Sequence, residues 1–295
     1  MNRRLKNEIL NNMGVLLAIL SAFLYAFNVI IEKKYVSNIS SEMILFSMYL
    51  GAGFGLFVIY LCTRKKVSNE KNKITKKEIP HIVTIVICEL VASFLTIEAV
   101  KVVNAGLVSL LSSFEIIMTA ICAYFIFKDP IEKNEVISII LMIIGCIILN
   151  YQADILSDVG IGSLLVILGC LCWGIENNVT ALISKKEPAF FTAIKCSAVA
   201  LLYLVIVIIK GSFTIDAPEL VFYGFFSYGL SILSYAVSTK YLGASKSTIV
   251  FSFSPIFGVI LALLIYHEKL TIPFVISMII MIIAIIYLHP KQKDE

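Results

Sequence analysis

The sequence predicts an all-α integral membrane protein: ten transmembrane helices arranged as two inverted five-helix repeats. Three observations predict it. Of 295 residues, 59% are hydrophobic and only 15% charged, and mean hydropathy is +0.95. A soluble domain has about a quarter charged residues, so this much apolar surface needs the lipid bilayer as its partner. Ten apolar stretches follow one another, most near the ~20 residues that cross the hydrocarbon core. The last five repeat the first five, and because five is odd the second copy enters the membrane upside down.

The first helix, 13–31, follows Arg3, Arg4 and Lys6. That start imitates a signal peptide, but no small-x-small cleavage site follows, so it reads as a membrane helix. The second, 42–62, carries Gly51 and Gly55, whose spacing predicts close helix packing. A lysine-rich connector, 63–79, anchors the topology and is no separate domain. Helices at 80–100, 103–127 and a short 135–150 complete the first repeat, taken as 1–152. Helices at 160–183, 189–209, 218–240, 245–266 and 271–288 form the second, 153–295. Backbone groups in lipid must bond within their own segment, which excludes open strands.

The repeat is visible in residues. Gly14–Leu20 matches Gly162–Leu168 at an offset of 148, and Ala105–Leu149 matches Ala244–Leu288 at 139. Ser113-Phe114 pairs with Ser252-Phe253, and Met142-Ile-Ile144 with Met281-Ile-Ile283. The connector at 63–79 has no counterpart and accounts for the change of offset. Inverted repeats of this kind mark secondary transporters, with a small-molecule site between the halves.

Basic residues orient the chain. With the N-terminus inside, 18 Lys and Arg fall on the cytoplasmic side and five, Lys33, Lys34, Lys101, Lys210 and Lys269, on the other. Both termini are therefore expected in the cytoplasm, the protein lying multi-pass in the cell (inner) membrane. The net charge of +4 is too small to argue for nucleic acid. Seven cysteines lie within apolar runs at no metal-binding spacing and read as small apolar fillers. His81, His267 and His289 sit at helix ends with no catalytic motif around them. No enzyme, metal or cofactor is read from the sequence, and monomer and homodimer both stay open.

Trp173-Gly174 in helix six, and Ser254-Pro255 followed by His267-Glu268-Lys269-Leu270, carry a resemblance. With ten helices in two repeats they resemble the drug/metabolite transporter superfamily, EamA type. The resemblance implies the two-repeat fold, a cavity among helices one, three, four, six, eight and nine, and export as the direction. The first half departs from the pattern: Glu115-Ile116 stands for Ser254-Pro255, Lys128-Asp129 for His267-Glu268, and Tyr25-Ala26 for Trp-Gly.

Ionisable groups inside membrane helices mark candidate sites. Glu89, Glu115 and Glu176 are the deepest, and are the proton-coupling candidates. Helical spacing gives each a polar stripe: Glu89, Ser93 and Thr96 on helix three; Ser112, Glu115, Thr119 and Cys122 on helix four; Trp173, Glu176 and Thr180 on helix six, with Asn177 beside them. Ser21, Tyr25, Asn28 and Glu32 align on helix one, Tyr228, Ser231, Tyr235 and Thr239 on helix eight, and Ser247, Phe251 and Ser254 on helix nine. Glu98 is out of phase with Glu89 and is expected to pair with Lys101. Helices two, five, seven and ten, more uniformly apolar, are expected to face lipid or pack outside the cavity. The substrate-binding candidates are Tyr25, Asn28, Glu89, Ser93, Thr96, Glu115, Trp173, Glu176, Asn177, Tyr228, Tyr235 and Ser254.

Lys195, about one turn from its helix end, is expected to snorkel to the interface. That leaves three acids near the midplane and no base. Such acids suit a proton, a cation or an amine, and disfavour an anionic substrate, which would ask for Lys or Arg. The expectation is a proton-coupled exporter of an amino acid or amine-bearing solute working by alternating access. The rivals are a multidrug exporter of lipophilic cations and a non-transporting membrane scaffold or sensor.

Overall fold

The computed structural model describes residues 3–63, 76–128, 133–149, 158–183, 188–242, 250, 251, 253–267 and 271–288. Among them, each of the ten predicted segments contains helix. Most of the 63–79 connector, the start of the ninth segment with Ser247, and Glu268–Leu270 lie outside the described residues.

The first repeat runs α1 (Arg3–Tyr35), α2 (Ser41–Thr63), α3 (Ile79–Val102), α4 (Ala105–Leu111), α5 (Phe114–Phe127) and α6 (Lys133–Leu149). The second runs α7 (Asp158–Ile183), α8 (Pro188–Lys210), α9 (Glu219–Gly224), a π-turn at Phe225–Leu230, α10 (Ser231–Leu242), α11 (Ser254–Tyr266) and α12 (Ile272–Leu288). Among the described residues, six stretches are long and apolar enough to cross a membrane: Asn12–Tyr35, Ser41–Cys62, Lys76–Val102, Ala105–Phe125, Gly160–Thr180 and Ala189–Lys210. Shorter apolar helices lie at Val136–Gly145, Ser254–Tyr266 and Ile272–Ala284. Phe54, Leu164, Leu201 and Leu264 stay exposed, as side chains facing lipid do.

The fourth predicted segment is two helices, not one. Ser112 and Ser113 interrupt it, and tighter i→i+3 bonds satisfy the freed backbone: Ser113 N–H to Leu110 O at 3.2 Å and Glu115 N–H to Ser112 O at 3.1 Å. In the ninth segment Phe253, the equivalent of Phe114, stands in a turn just before α11. Pro255 lies in the first turn of α11, where a missing N–H is harmless, rather than kinking a continuous helix. The equivalent residues Lys128 (φ 57°) and His267 (φ 51°), 139 apart, both close their helices in the left-handed conformation. α6 and α12 also begin and end 139 residues apart.

The contacts obey the same exchange. α3 packs on α7 as α1 packs on α10, while α2 meets α8, α4 meets α11 and α6 meets α12. Helices two and seven expose one apolar face, with Phe54 and Leu201, but bury the other in the core. Tyr49, Met48 and Leu45 of α2 and Tyr203, Val199 and Cys196 of α8 form the centre of the largest core cluster. Gly51 and Gly55 do pack closely. A Cβ at Gly51 would fall 1.7 Å from the Val221 carbonyl oxygen, and one at Gly224 would fall 2.0 Å from that of Met48.

Candidate functional site

Lys195 does not snorkel. Its Nζ donates to Glu89 Oε2 at 2.9 Å and to Glu176 Oε1 at 2.6 Å. Lys195, Glu89 and Glu176 are 8%, 3% and 5% exposed. The expectation of deep acids without a base is therefore corrected. The aliphatic stem reaches inward because two carboxylates, one from each repeat, draw the ammonium more strongly than a distant interface does. Charges this deep persist only when paired and bonded. Glu89 on α3 belongs to the first repeat, and Glu176 on α7 and Lys195 on α8 to the second, so one ammonium ties the halves together.

Tyrosines surround the triad. Tyr49 on α2 donates a short hydrogen bond to Glu89 Oε1. Its ring lies 6.1 Å from that of Tyr203 and 4.9 Å from that of Tyr228. Ser93 Oγ is 2.6 Å from the Glu89 carbonyl oxygen and 2.9 Å from the Tyr203 hydroxyl. Tyr203 also reaches the Leu90 carbonyl at 2.6 Å. Tyr49, Tyr203 and Lys195 are the site residues that stripe reasoning missed. Tyr49 lies on α2 and both Lys195 and Tyr203 on α8, the two strongly apolar helices in which no polar stripe was read.

The third acid stands apart. Asn177 Nδ2 donates to Glu115 Oε1 at 2.9 Å and to Thr119 Oγ1 at 3.2 Å. This joins the predicted stripe of helix four to Asn177, which lies beside the stripe of helix six. Glu115 is half-buried and Asn177 exposed. Asn178 ties α7 to α5 through the Thr119 carbonyl at 2.8 Å. Glu98 pairs with Lys101 at 2.6 Å, as its spacing predicts.

An aromatic wall gathers at one side. Tyr25 contacts Tyr228 edge-on at 6.1 Å and Phe251 at 5.4 Å, and Tyr235 contacts Phe251 at 5.2 Å. Trp173 is buried and makes no ring contact with this group among the described residues. Thr96 bonds back to the Ala92 carbonyl at 2.9 Å and packs where Gly169 leaves room, the geometry of a helix contact. Ser21 and Ser231 likewise join α1 to α10 at 2.8 Å. Ser254 is buried at the start of α11, and Asn28 is buried on α1.

Comparison with known proteins supplies a family. The model of the EamA-like transporter family matches twice, over residues 12–151 and 160–289. The chain is 24% identical to an uncharacterized transporter of Methanothermobacter thermautotrophicus, an alignment covering 95% of this chain and 87% of that one. It is also 24% identical to an uncharacterized transporter of Clostridium kluyveri, over 81% of each. A crystal structure superposes with a TM-score of 0.70 at 11% identity, covering 96% of this chain and 98% of its own. That likeness is one of fold.

Proposed function

Because the chain belongs to the EamA-like transporter family and is a multi-pass membrane transporter of a small molecule, we propose that it exports an amino acid or related amine-bearing solute. It does so by proton-coupled alternating access, from the cell (inner) membrane with both termini in the cytoplasm. One observation carries the amine: a primary ammonium, that of Lys195, already sits between Glu89 and Glu176. The two carboxylates and the tyrosines around them fit that chemical group. A solute ammonium competes for the same oxygens, and the displaced Lys195 then meets the solute's carboxylate. The presence of Lys195 removes one argument against anions, but both its contacts are with carboxylates. With all three groups ionised the cluster keeps one net negative charge, which still disfavours an anionic solute.

Glu89 and Glu176 share the ammonium, whereas Glu115 has an amide for partner. Glu115 is therefore the acid through which a proton enters the cycle. In proteoliposomes under an imposed pH gradient, Glu115→Gln abolishes pH-driven transport. Undiminished coupling in that variant removes Glu115 from the role. A panel of amino acids, amines, cationic dyes and nucleotide sugars, read by the thermal midpoint of the detergent-purified chain, tests the substrate class. A shift from dyes alone favours a multidrug exporter of lipophilic cations, and a shift from nucleotide sugars alone overturns the charge argument.

A further inference from the structure

Asn28 and Glu32 lie four residues apart on one face of α1. Tyr25 and Glu32, on either side of Asn28 along that face, both meet Tyr228: the first by ring contact, the second with its Oε1 3.5 Å from the hydroxyl. The face is thus turned towards helix eight. Asn28 is 4% exposed and Glu32 2%. Neither Nδ2 nor Oδ1 of Asn28, nor Oε2 of Glu32, has a hydrogen-bond partner among the described residues. The neighbouring cations point elsewhere, Lys33 to the Val100 and Val103 carbonyls at 2.8 and 2.7 Å and Lys34 to the Tyr35 hydroxyl at 3.1 Å. Buried polar atoms are bonded in the great majority of cases. Three unpaired atoms within one turn ask for a ligand.

The repeat says where this place belongs. An offset of 148 carries Asn28 to Glu176, and one of 139 carries Glu89 to Tyr228. Asn28 and Tyr228 are thus the counterparts of the two acids that hold Lys195, in the opposite half of the membrane.

We propose that Asn28 and Glu32 form a second solute position, which takes a protonated amine with an oxygen acceptor beside it, as in an α-amino acid. This rests on the amine-carrier reading and adds a place to it. The ammonium donates to Glu32 Oε2 and Asn28 Oδ1, and the adjacent carboxylate accepts from Asn28 Nδ2. Tyr25 and Tyr228 offer ring faces to the cation. A metal ion would leave Nδ2 without an acceptor, and a proton on Glu32 would leave both Asn28 atoms unpaired. A bifunctional ligand satisfies all three.

The test titrates the thermal midpoint of the full-length purified chain with an equimolar mixture of the common L-amino acids, and separately with their decarboxylated amines. Glu32→Gln raises the concentration giving half the shift by about tenfold or more for both mixtures. Asn28→Leu does so by a clearly larger factor for the amino acids, which lose both amide bonds, than for the amines, which lose only the Oδ1 acceptor. If both variants keep the wild-type titration while Glu89→Gln loses it, the second position is overturned and the carrier reading stands. If the wild type responds to neither mixture, both fall. Should Glu32→Gln fail to fold, the amino-acid-against-amine split in Asn28→Leu decides alone.

Discussion

At one end of the repeat relation, Lys195 bonds both Glu89 and Glu176, joining three helices. At the other, the positions 139 or 148 residues away hold Tyr228, Asn28 and Ser47, all buried, with both amide atoms of Asn28 unpaired. The backbones repeat and the chemistry does not. An inverted repeat supplies two equivalent places on opposite sides of the bilayer, and here one holds a tethered ammonium, with Glu176 Oε2 left over, and the other holds no cation among the described residues. A symmetric frame therefore does not require symmetric sites. The charge that holds the halves together sits on one side only.

The variants that test this contrast differ in size and in sign. Lys195→Met leaves two carboxylates buried without a cation and destabilises the chain by about 3–5 kcal/mol, read as a fall in thermal midpoint. Adding Glu89→Gln and Glu176→Gln to it recovers most of that loss. No recovery means that the lysine stem, not the charge, is what matters. Gly51→Ala pushes a Cβ into the Val221 carbonyl and costs about 1–3 kcal/mol, a steric loss that no charge change repairs. Asn28→Leu, measured without ligand, goes the other way and stabilises by about 1 kcal/mol, because it removes two unpaired buried polar atoms. A destabilised Asn28→Leu breaks the comparison, since it means the amide already has a structural partner. Tyr203→Phe, which removes one hydroxyl from the edge of the triad, has the smallest effect, about 0.5–1 kcal/mol.

Much of this was legible in residues. Length and hydropathy located the helices, the 139 offset anticipated paired ends such as Lys128 and His267, and spacing gave the Glu98–Lys101 pair and the close approach at Gly51. The sequence put Glu115 and Thr119 on one stripe of helix four, but their bonds to Asn177, which lies beside the stripe of helix six, depend on how the two helices pack. The direction of Lys195 was not legible. A long stem reaches inward or outward from the same backbone position, and the choice depends on acids distant in sequence. Tyr49 and Tyr203 were hidden because each lies on a mostly apolar helix outside any polar stripe, and its hydroxyl is meaningful only beside its partner. The break at Ser112–Ser113 was equally silent, because serine sits readily within membrane helices.

The seam between helices two and eight has a mechanical consequence. Where Gly51 faces the Val221 carbonyl and Gly224 that of Met48, main chain touches main chain. Side chains slide past one another by changing rotamer, but backbone in contact has nothing to rearrange. In the alternating access proposed above, we therefore expect this line to act as an axle, turning rather than sliding. Spin labels placed astride it keep a constant separation through the transport cycle, while labels across the Lys195 cluster move apart.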